Sequence, residues 1–165
     1  GNGYRFETEN MEIFVQSTPE IIQCACCCLS VSGSVSLELL YHATPAVISY
    51  RISRFGWNLQ WLFRRVRFIT LVNLLAVENP FRNLNPEYRP DSEDAQSVIF
   101  PEYLTWKDRS TWIATDLLRW LNHEAVRAEC VRRLEALNAE VARPGAARNA
   151  AERIFKFLNE KGNCE

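Results

Sequence analysis

The sequence predicts an α/β chain in which a short parallel sheet is interleaved with helices and followed by a helical C-terminal part. Three observations predict this. Between Glu12 and Tyr50, β-rich segments alternate with segments of helical period, the pattern that parallel crossover units leave in a sequence. Cys27–Val31 and Ala46–Tyr50 are short, continuous apolar runs bounded by turn residues, as strands covered on both faces are. After Asp108 the apolar residues recur at helical spacing almost to the C-terminus.

The 165 residues, 47% hydrophobic and 12% aromatic, suit one domain over 1–165 and exclude a disordered or low-complexity chain. No apolar run approaches the ~18 residues of a membrane span. The opening residues carry Arg5, Glu7, Glu9 and Glu12 without an apolar signal-peptide core, so a cytoplasmic protein is expected.

Each element has a local reason. Glu12–Val15 reads as a strand that joins the sheet. Thr18 caps a helix with Pro19 at its first position and Glu20 in its first turn. After the Cys27–Val31 strand, Ser32-Gly33-Ser34 turns into a helix over Val35–Ala43, with Leu37, Leu40 and Tyr41 at helical spacing. Pro45 closes that loop before the Ala46–Tyr50 strand. Arg54–Val66 is a helix with Phe55, Leu59, Leu62, Phe63 and Val66 on the expected core side. Phe68–Val72 reads as a further strand. The periodicity fails over 77–100, where Pro80, Pro86, Pro90 and the acidic run Asp91-Ser92-Glu93-Asp94 mark a long loop or insertion. Helices then cover Asp108–Asn122, Glu124–Val141 and, past Pro144-Gly145, a final stripe of Ala147, Ala151, Ile154, Phe155 and Leu158.

Four cysteines crowd into five positions (Cys24, Cys26, Cys27 and Cys28), with Cys130 and Cys164 far away. Neighbours on a strand point to opposite faces and no second pair exists for zinc, so reduced, buried packing is expected over metal or redox chemistry.

Charge is uneven beneath a net −1. Glu38 and Glu78 bracket a stretch without acid that holds Arg51, Arg54, Arg64, Arg65 and Arg67. On the Arg54–Val66 helix, Trp57 and Trp61 fall among Arg54, Arg64 and Arg65, a combination that suits a domain contact or an interfacial membrane surface. The near-neutral balance argues against nucleic acid as a partner. The strand-to-helix turn at Ser32-Gly33-Ser34 aims backbone N–H groups at one point, where a phosphate is stabilised. Glu38, one turn into that helix, suits vicinal ribose hydroxyls. Asn73, read as following a strand, has an amide that reaches the same cleft or serves as a turn residue. His42 and His123 lack partners at catalytic spacing. The residues themselves thus describe a nucleotide- or phosphate-binding α/β domain.

The ordered motifs resemble a known family. Val31-Ser32-Gly33-Ser34-Val35-Ser36-Leu37-Glu38 resembles the Ser-Gly-Thr-x-x-Leu-Glu segment of lipid-A-disaccharide synthase. Pro45-Ala46-Val47-Ile48-Ser49-Tyr50-Arg51 is similar to its Pro-Met-Val-Val-x-Tyr-Arg strand. Ile69-Thr70-Leu71-Val72-Asn73-Leu74-Leu75-Ala76 is similar to its Ile-Ser-Leu-Pro-Asn-Leu-Leu-Ala. Pro101-Glu102-Tyr103-Leu104 and Arg143-Pro144-Gly145-Ala146 resemble two later motifs. The resemblance implies a partial Rossmann-like sheet, the C-terminal, donor-binding half of a GT-B glycosyltransferase that needs no metal or cofactor. It implies transfer of 2,3-diacylglucosamine from UDP to 2,3-diacylglucosamine 1-phosphate, with Ser32, Gly33 and Ser34 on the diphosphate, Glu38 on the ribose and Asn73 near the UDP. The implied partners are the UDP-sugar, the lipid acceptor, the inner-membrane surface, an N-terminal half in the same or another chain, and a second copy in a homodimer. The family's Gly-Ser-Arg motif and acceptor half are absent, Val72 replaces its Pro, and Ala76-Val77-Glu78-Asn79 replaces its Ala-Gly-Arg-Glu. Standing alone, the chain is expected to be inactive. An inactive UDP-sugar-binding or regulatory module, or another GT-B enzyme such as the peptidoglycan N-acetylglucosaminyltransferase, are the alternatives.

Overall fold

The computed structural model describes residues 5–8, 11–31, 34–63, 68–77, 79, 88–91, 95, 98–141 and 145–162. Strands β1 (Arg5–Thr8) and β2 (Met11–Phe14) form an antiparallel pair with Phe6 opposite Ile13. The strand expected near residue 12 therefore pairs with its upstream neighbour and does not enter the parallel sheet. A connection of only two residues suits an antiparallel hairpin, because a parallel strand needs a long crossover.

Helix α1 (Thr18–Cys24) starts with Pro in its first turn, where the missing N–H costs no hydrogen bond. Strand β3 (Cys28–Ser30) leads to α2 (Val35–Tyr41) and then β4 (Ala46–Arg51). The turn after α2 is a Schellman motif: the Ala43 N–H donates to Leu40 O at 3.0 Å and the Thr44 N–H to Leu39 O at 2.9 Å. Ala43 holds the left-handed position usually given to glycine, at φ 50°. The Thr44 hydroxyl then donates to Ile22 O at 3.2 Å and ties α1 to this turn.

Helix α3 (Arg54–Phe63) follows β4, and α4 is Leu71–Ala76. The expected strand over 68–72 is thus overturned. Thr70 is the N-cap of α4, its side chain accepting from the Asn73 N–H, so the β-branched run Ile69-Thr70 serves to start a helix. The third strand is β5 (Glu102–Thr105), which was not expected from sequence. The sheet has the order β3-β4-β5 and both pairs are parallel, with Leu29 opposite Val47 and Ser49 opposite Tyr103. Helices α5 (Ser110–Asn122), α6 (Glu124–Val141) and α7 (Ala146–Gly162) complete the chain.

The core surrounds the amino-terminal half of β4. Ala46, Val47 and Ile48 are buried, while Tyr50 and Arg51 at the other end of the strand are exposed. α2 packs against α4 and α6, and α5 against β4 and α6. The α6 stripe seals this core through Cys130, Leu134 and Leu137, with Val126 half-buried and Val141 at the exposed end. On α5 only Trp120 of the expected stripe is fully buried, and Leu121 is exposed. Ile154, Phe155 and Leu158 of α7 are likewise exposed.

The expected faces of α3 are also corrected. Phe55 is 77% exposed and Leu59 47%, whereas Trp57 is half-buried. Helical period identifies an apolar side, but which side meets the core depends on how the strand before the helix delivers it. The cysteines divide similarly. Cys130 is buried and Cys27 and Cys28 are half-buried, but Cys24 and Cys26 are exposed, against the expectation that the group packs inside. Cys24 is the last residue of α1, beyond its single buried position at Ile22.

Candidate nucleotide site and its flanks

Because β3, β4 and β5 run parallel, their carboxyl ends lie on one edge, where α/β proteins bind ligands. β3 ends at Ser30, whose hydroxyl donates to Val31 O at 3.1 Å. Ser32 and Gly33 lie outside the described residues. Ser34 is the N-cap of α2, at φ −59° and ψ −27°, and its side chain makes no capping hydrogen bond. Its carbonyl accepts from the Leu37 N–H at 3.0 Å, and its side chain is exposed. Glu38 is exposed in the first turn of the same helix. Ser34 and Glu38 are therefore together and accessible at the start of α2. A negative side chain there is favoured by the helix dipole.

Asn73 lies elsewhere. It is buried in α4, and its amide is fully engaged within the fold. Oδ1 accepts from the N–H groups of Ile99 (3.2 Å) and Phe100 (3.0 Å). Nδ2 donates to Phe100 O (2.7 Å) and Glu102 Oε1 (2.8 Å). Asn73 thus grips the backbone that enters β5, and not the carboxyl edge beyond Thr105. Glu102 completes the cluster: Oε2 accepts from the Ile69 N–H (2.7 Å), and Oε1 accepts from the Thr70 N–H (3.0 Å) and from the Thr70 hydroxyl. Thr70 Oγ1 in turn accepts from the Asn73 N–H at 3.3 Å. Glu102 therefore supplies an internal acceptor for the backbone N–H groups at the N-terminal end of α4. Sequence reasoning missed Thr70 and Glu102. The available signal was Thr70 standing three residues before Asn73, the spacing of an N-cap and the N–H it satisfies.

The expected membrane or partner face is divided. Arg64 and Arg65 lie outside the described residues, as does the side chain of Trp61. Arg54 is exposed and places its guanidinium 4.5 Å from the centre of the Trp106 ring. The Lys107 ammonium approaches the same ring at 5.3 Å, and the Arg109 guanidinium lies 4.1 Å from the centre of Trp112. Asp108, the acid among them, is lowered below the ordinary carboxylate range by hydrogen bonding from Ser110 and by the charge of Arg51.

A concavity of about 650 Å³ is lined by residues including Tyr88, Asp116, Arg119, Glu129, Cys130 and Arg133. The Tyr103 hydroxyl donates to Asp116 Oδ2 at 2.6 Å, and Tyr88 stacks edge-on against Tyr103 at 5.2 Å. Burial raises the Asp116 carboxyl and both phenols above their ordinary ranges. Burial also pushes the Cys130 and Cys27 thiols up to about 11, so neither is an activated nucleophile. Among the described residues, no group of three or more His, Cys, Asp or Glu side chains is placed to hold a metal ion. No described helix is long and apolar enough to cross a membrane.

The family model of lipid-A-disaccharide synthetase matches residues 5–127, spanning the parallel sheet, the turn into α2 and the Asn73–Glu102 cluster. The chain belongs to this family. It is 28% identical over 140 residues to the lipid-A-disaccharide synthase of Myxococcus xanthus, covering 85% of this chain and 32% of that protein. It is 30% identical over 131 residues to the enzyme of Aromatoleum aromaticum, covering 79% and 28% respectively. A shorter match to the Rhodospirillum centenum enzyme is 47% identical over 47 residues, 28% of this chain and 12% of that protein. The chain thus spans about a third of the length of the first two relatives. No solved structure matches it significantly.

Proposed function

We propose that this chain is the donor-binding portion of a lipid-A-disaccharide synthase, a hexosyltransferase that moves 2,3-diacylglucosamine from UDP to 2,3-diacylglucosamine 1-phosphate. The observation that carries this reading is the family match across the β3–turn–α2 unit, with Ser34 and Glu38 accessible at the carboxyl edge of a parallel sheet. Ser32, Gly33 and Ser34 present N–H groups to the diphosphate, and Glu38 accepts from the ribose hydroxyls. As the glycosidic bond to UDP breaks, negative charge grows on the leaving diphosphate. Donors already fixed at the turn stabilise that charge more in the transition state than in the ground state. Asn73 acts on this site through the position of α4 and β5, because its amide is bonded inward.

The acceptor and the catalytic base belong to a partner N-terminal half, in the same or another chain, and the described portion alone is inactive. The donor is the UDP-sugar, no cofactor is required, and the protein works at the cytoplasmic face of the inner membrane as a peripheral protein. The exposed apolar residues of α7 suit contact with the N-terminal half or with a second copy.

The test is calorimetric titration of the chain with UDP. Binding at sub-millimolar UDP that weakens at least fivefold in Glu38→Ala is expected. Absence of binding at millimolar UDP, or binding indifferent to Glu38→Ala, would overturn the reading.

A further inference from the structure

The chain carries a second concentration of polar chemistry on the carboxyl edge of the sheet, separate from the turn at Ser34. β4 ends at Arg51, opposite Thr105 at the end of β5, so the segments that leave these two strands start side by side. One contributes Arg51 and Arg54, and the other Trp106, Lys107 and Arg109. Arg54 and Lys107 both approach the Trp106 ring, at 4.5 and 5.3 Å. Two like charges thus converge on one half-buried indole, whose face attracts each but does not neutralise either.

The local charge is one-sided. Arg51–Phe63 contains no acid, and Thr105–Trp112 contains only Asp108. The Asp108 carboxylate accepts from the Ser110 N–H at 2.8 Å, at the start of α5, so the single local anion is engaged by a helix end. Four cations therefore face one carboxylate, in a chain whose net charge is −1. Arginine beside lysine on an aromatic platform is suited to phosphate, with a planar fork for two oxygens and a point charge for a third.

We propose that Arg54, Trp106 and Lys107 form a phosphate-binding site at the carboxyl edge of β4 and β5, with Arg51 adding to its field. Its ligand carries a phosphate ester, either on a soluble nucleotide or on a lipid headgroup. The site uses none of the residues of the Ser34–Glu38 turn and stands whether or not that turn binds UDP.

The test uses the chain with Arg54→Gln/Lys107→Gln, against a control, Arg132→Gln/Arg153→Gln, that removes the same net charge from exposed positions on α6 and α7. Trp106→Leu removes the platform and leaves the charges. One arm is cosedimentation with vesicles of phosphatidylglycerol in phosphatidylcholine, and the other is titration with UDP. In one arm or both, the site double variant binds about thirtyfold more weakly, two cations each contributing ~1 kcal/mol near an anionic surface. Trp106→Leu falls between, and the control changes affinity less than threefold. The arm that responds identifies the source of the phosphate. Equal losses in the control and the site variant, no loss in either, or no binding in either arm would overturn the proposal. Vesicle binding that depends on Arg54 and Lys107 without any UDP binding would uphold this site and reject the donor reading. UDP binding sensitive only to Glu38→Ala, with vesicle binding unmoved, would do the reverse.

Discussion

Asn73 is where a ligand-contacting role and a structural role give opposite results. Replacing it with alanine strands the N–H groups of Ile99 and Phe100, which donate to its Oδ1 in a region where both residues are buried. Each stranded donor costs about 1–3 kcal/mol. Glu102 keeps Ile69 and Thr70, so its loss adds little, while the Phe100 carbonyl loses the Nδ2 donor and adds to the cost. A destabilisation of about 4 kcal/mol follows. Against a total of about 5–15 kcal/mol for a domain, this is a large fraction. For a chain of this size it lowers the melting temperature by about 8–16 °C. Urea and thermal denaturation followed by circular dichroism measure it directly. Asn73→Asp keeps the acceptor for both N–H groups but loses the two N–H donors to Phe100 O and Glu102, so it should melt between the parent and Asn73→Ala. Asn73→Ala that melts within ~1 kcal/mol of the parent while UDP binding vanishes would refute the reasoning and return the amide to the ligand site.

Four further outcomes are expected. Burial raises the Asp116 carboxyl, outweighing the Tyr103 hydrogen bond and Arg119, so the folded chain holds a proton that the unfolded chain has released. The stabilising share of this group is complete below about pH 4 and is lost as pH rises through the folded value. Asp116→Asn, which still accepts from Tyr103, should flatten that fall in a pH series of urea melts. Alkylation across a pH series read by mass spectrometry should mark the exposed Cys24 and Cys26 first, Cys27 faster as pH rises toward about 11, and Cys130 only on unfolding. Ala43→Gly should gain about 1 kcal/mol in urea melts by relieving the left-handed backbone at φ 50°. Phe55→Ser, at 77% exposure, should change stability by less than about 0.5 kcal/mol, whereas Leu134→Ala, at 0%, should cost about 2–5 kcal/mol in the same assay.

Much of the order of elements was legible in the sequence because its signals are local. Pro19 in the first turn of α1, the apolar runs of β3 and β4, and the i, i+4 stripe of Cys130 and Leu134 act through backbone geometry and nearest-neighbour burial. The start of α2 was legible for the same reason, and with it the accessible pair Ser34 and Glu38. β5 was obscured because the sequence over 77–100 shows no period from which to read where pairing resumes, and because a strand of four residues has too few positions to show one. Ile69-Thr70 misled because β-branched residues favour strands only where a neighbouring strand awaits them. Here Thr70 found an N–H to cap, and the Ile69 and Thr70 N–H groups found a carboxylate.

The sequence by itself determined that this chain is an α/β unit in which a strand leads into a helix at Ser34, and the order of its motifs carried its family. Those are properties of short segments read one after another. Only the tertiary structure decided that the amide of Asn73 faces Glu102 and the backbone entering β5, that Phe55 faces outward while Trp57 is half-buried, and that Arg54 joins Lys107 at the Trp106 ring. The Asn73 amide reaches residues 26 to 29 positions away in the chain, and Arg54 reaches Trp106, 52 positions away. Hydrogen bonds and charges join whatever the packing of the sheet brings within reach. Chain order does not record those distances.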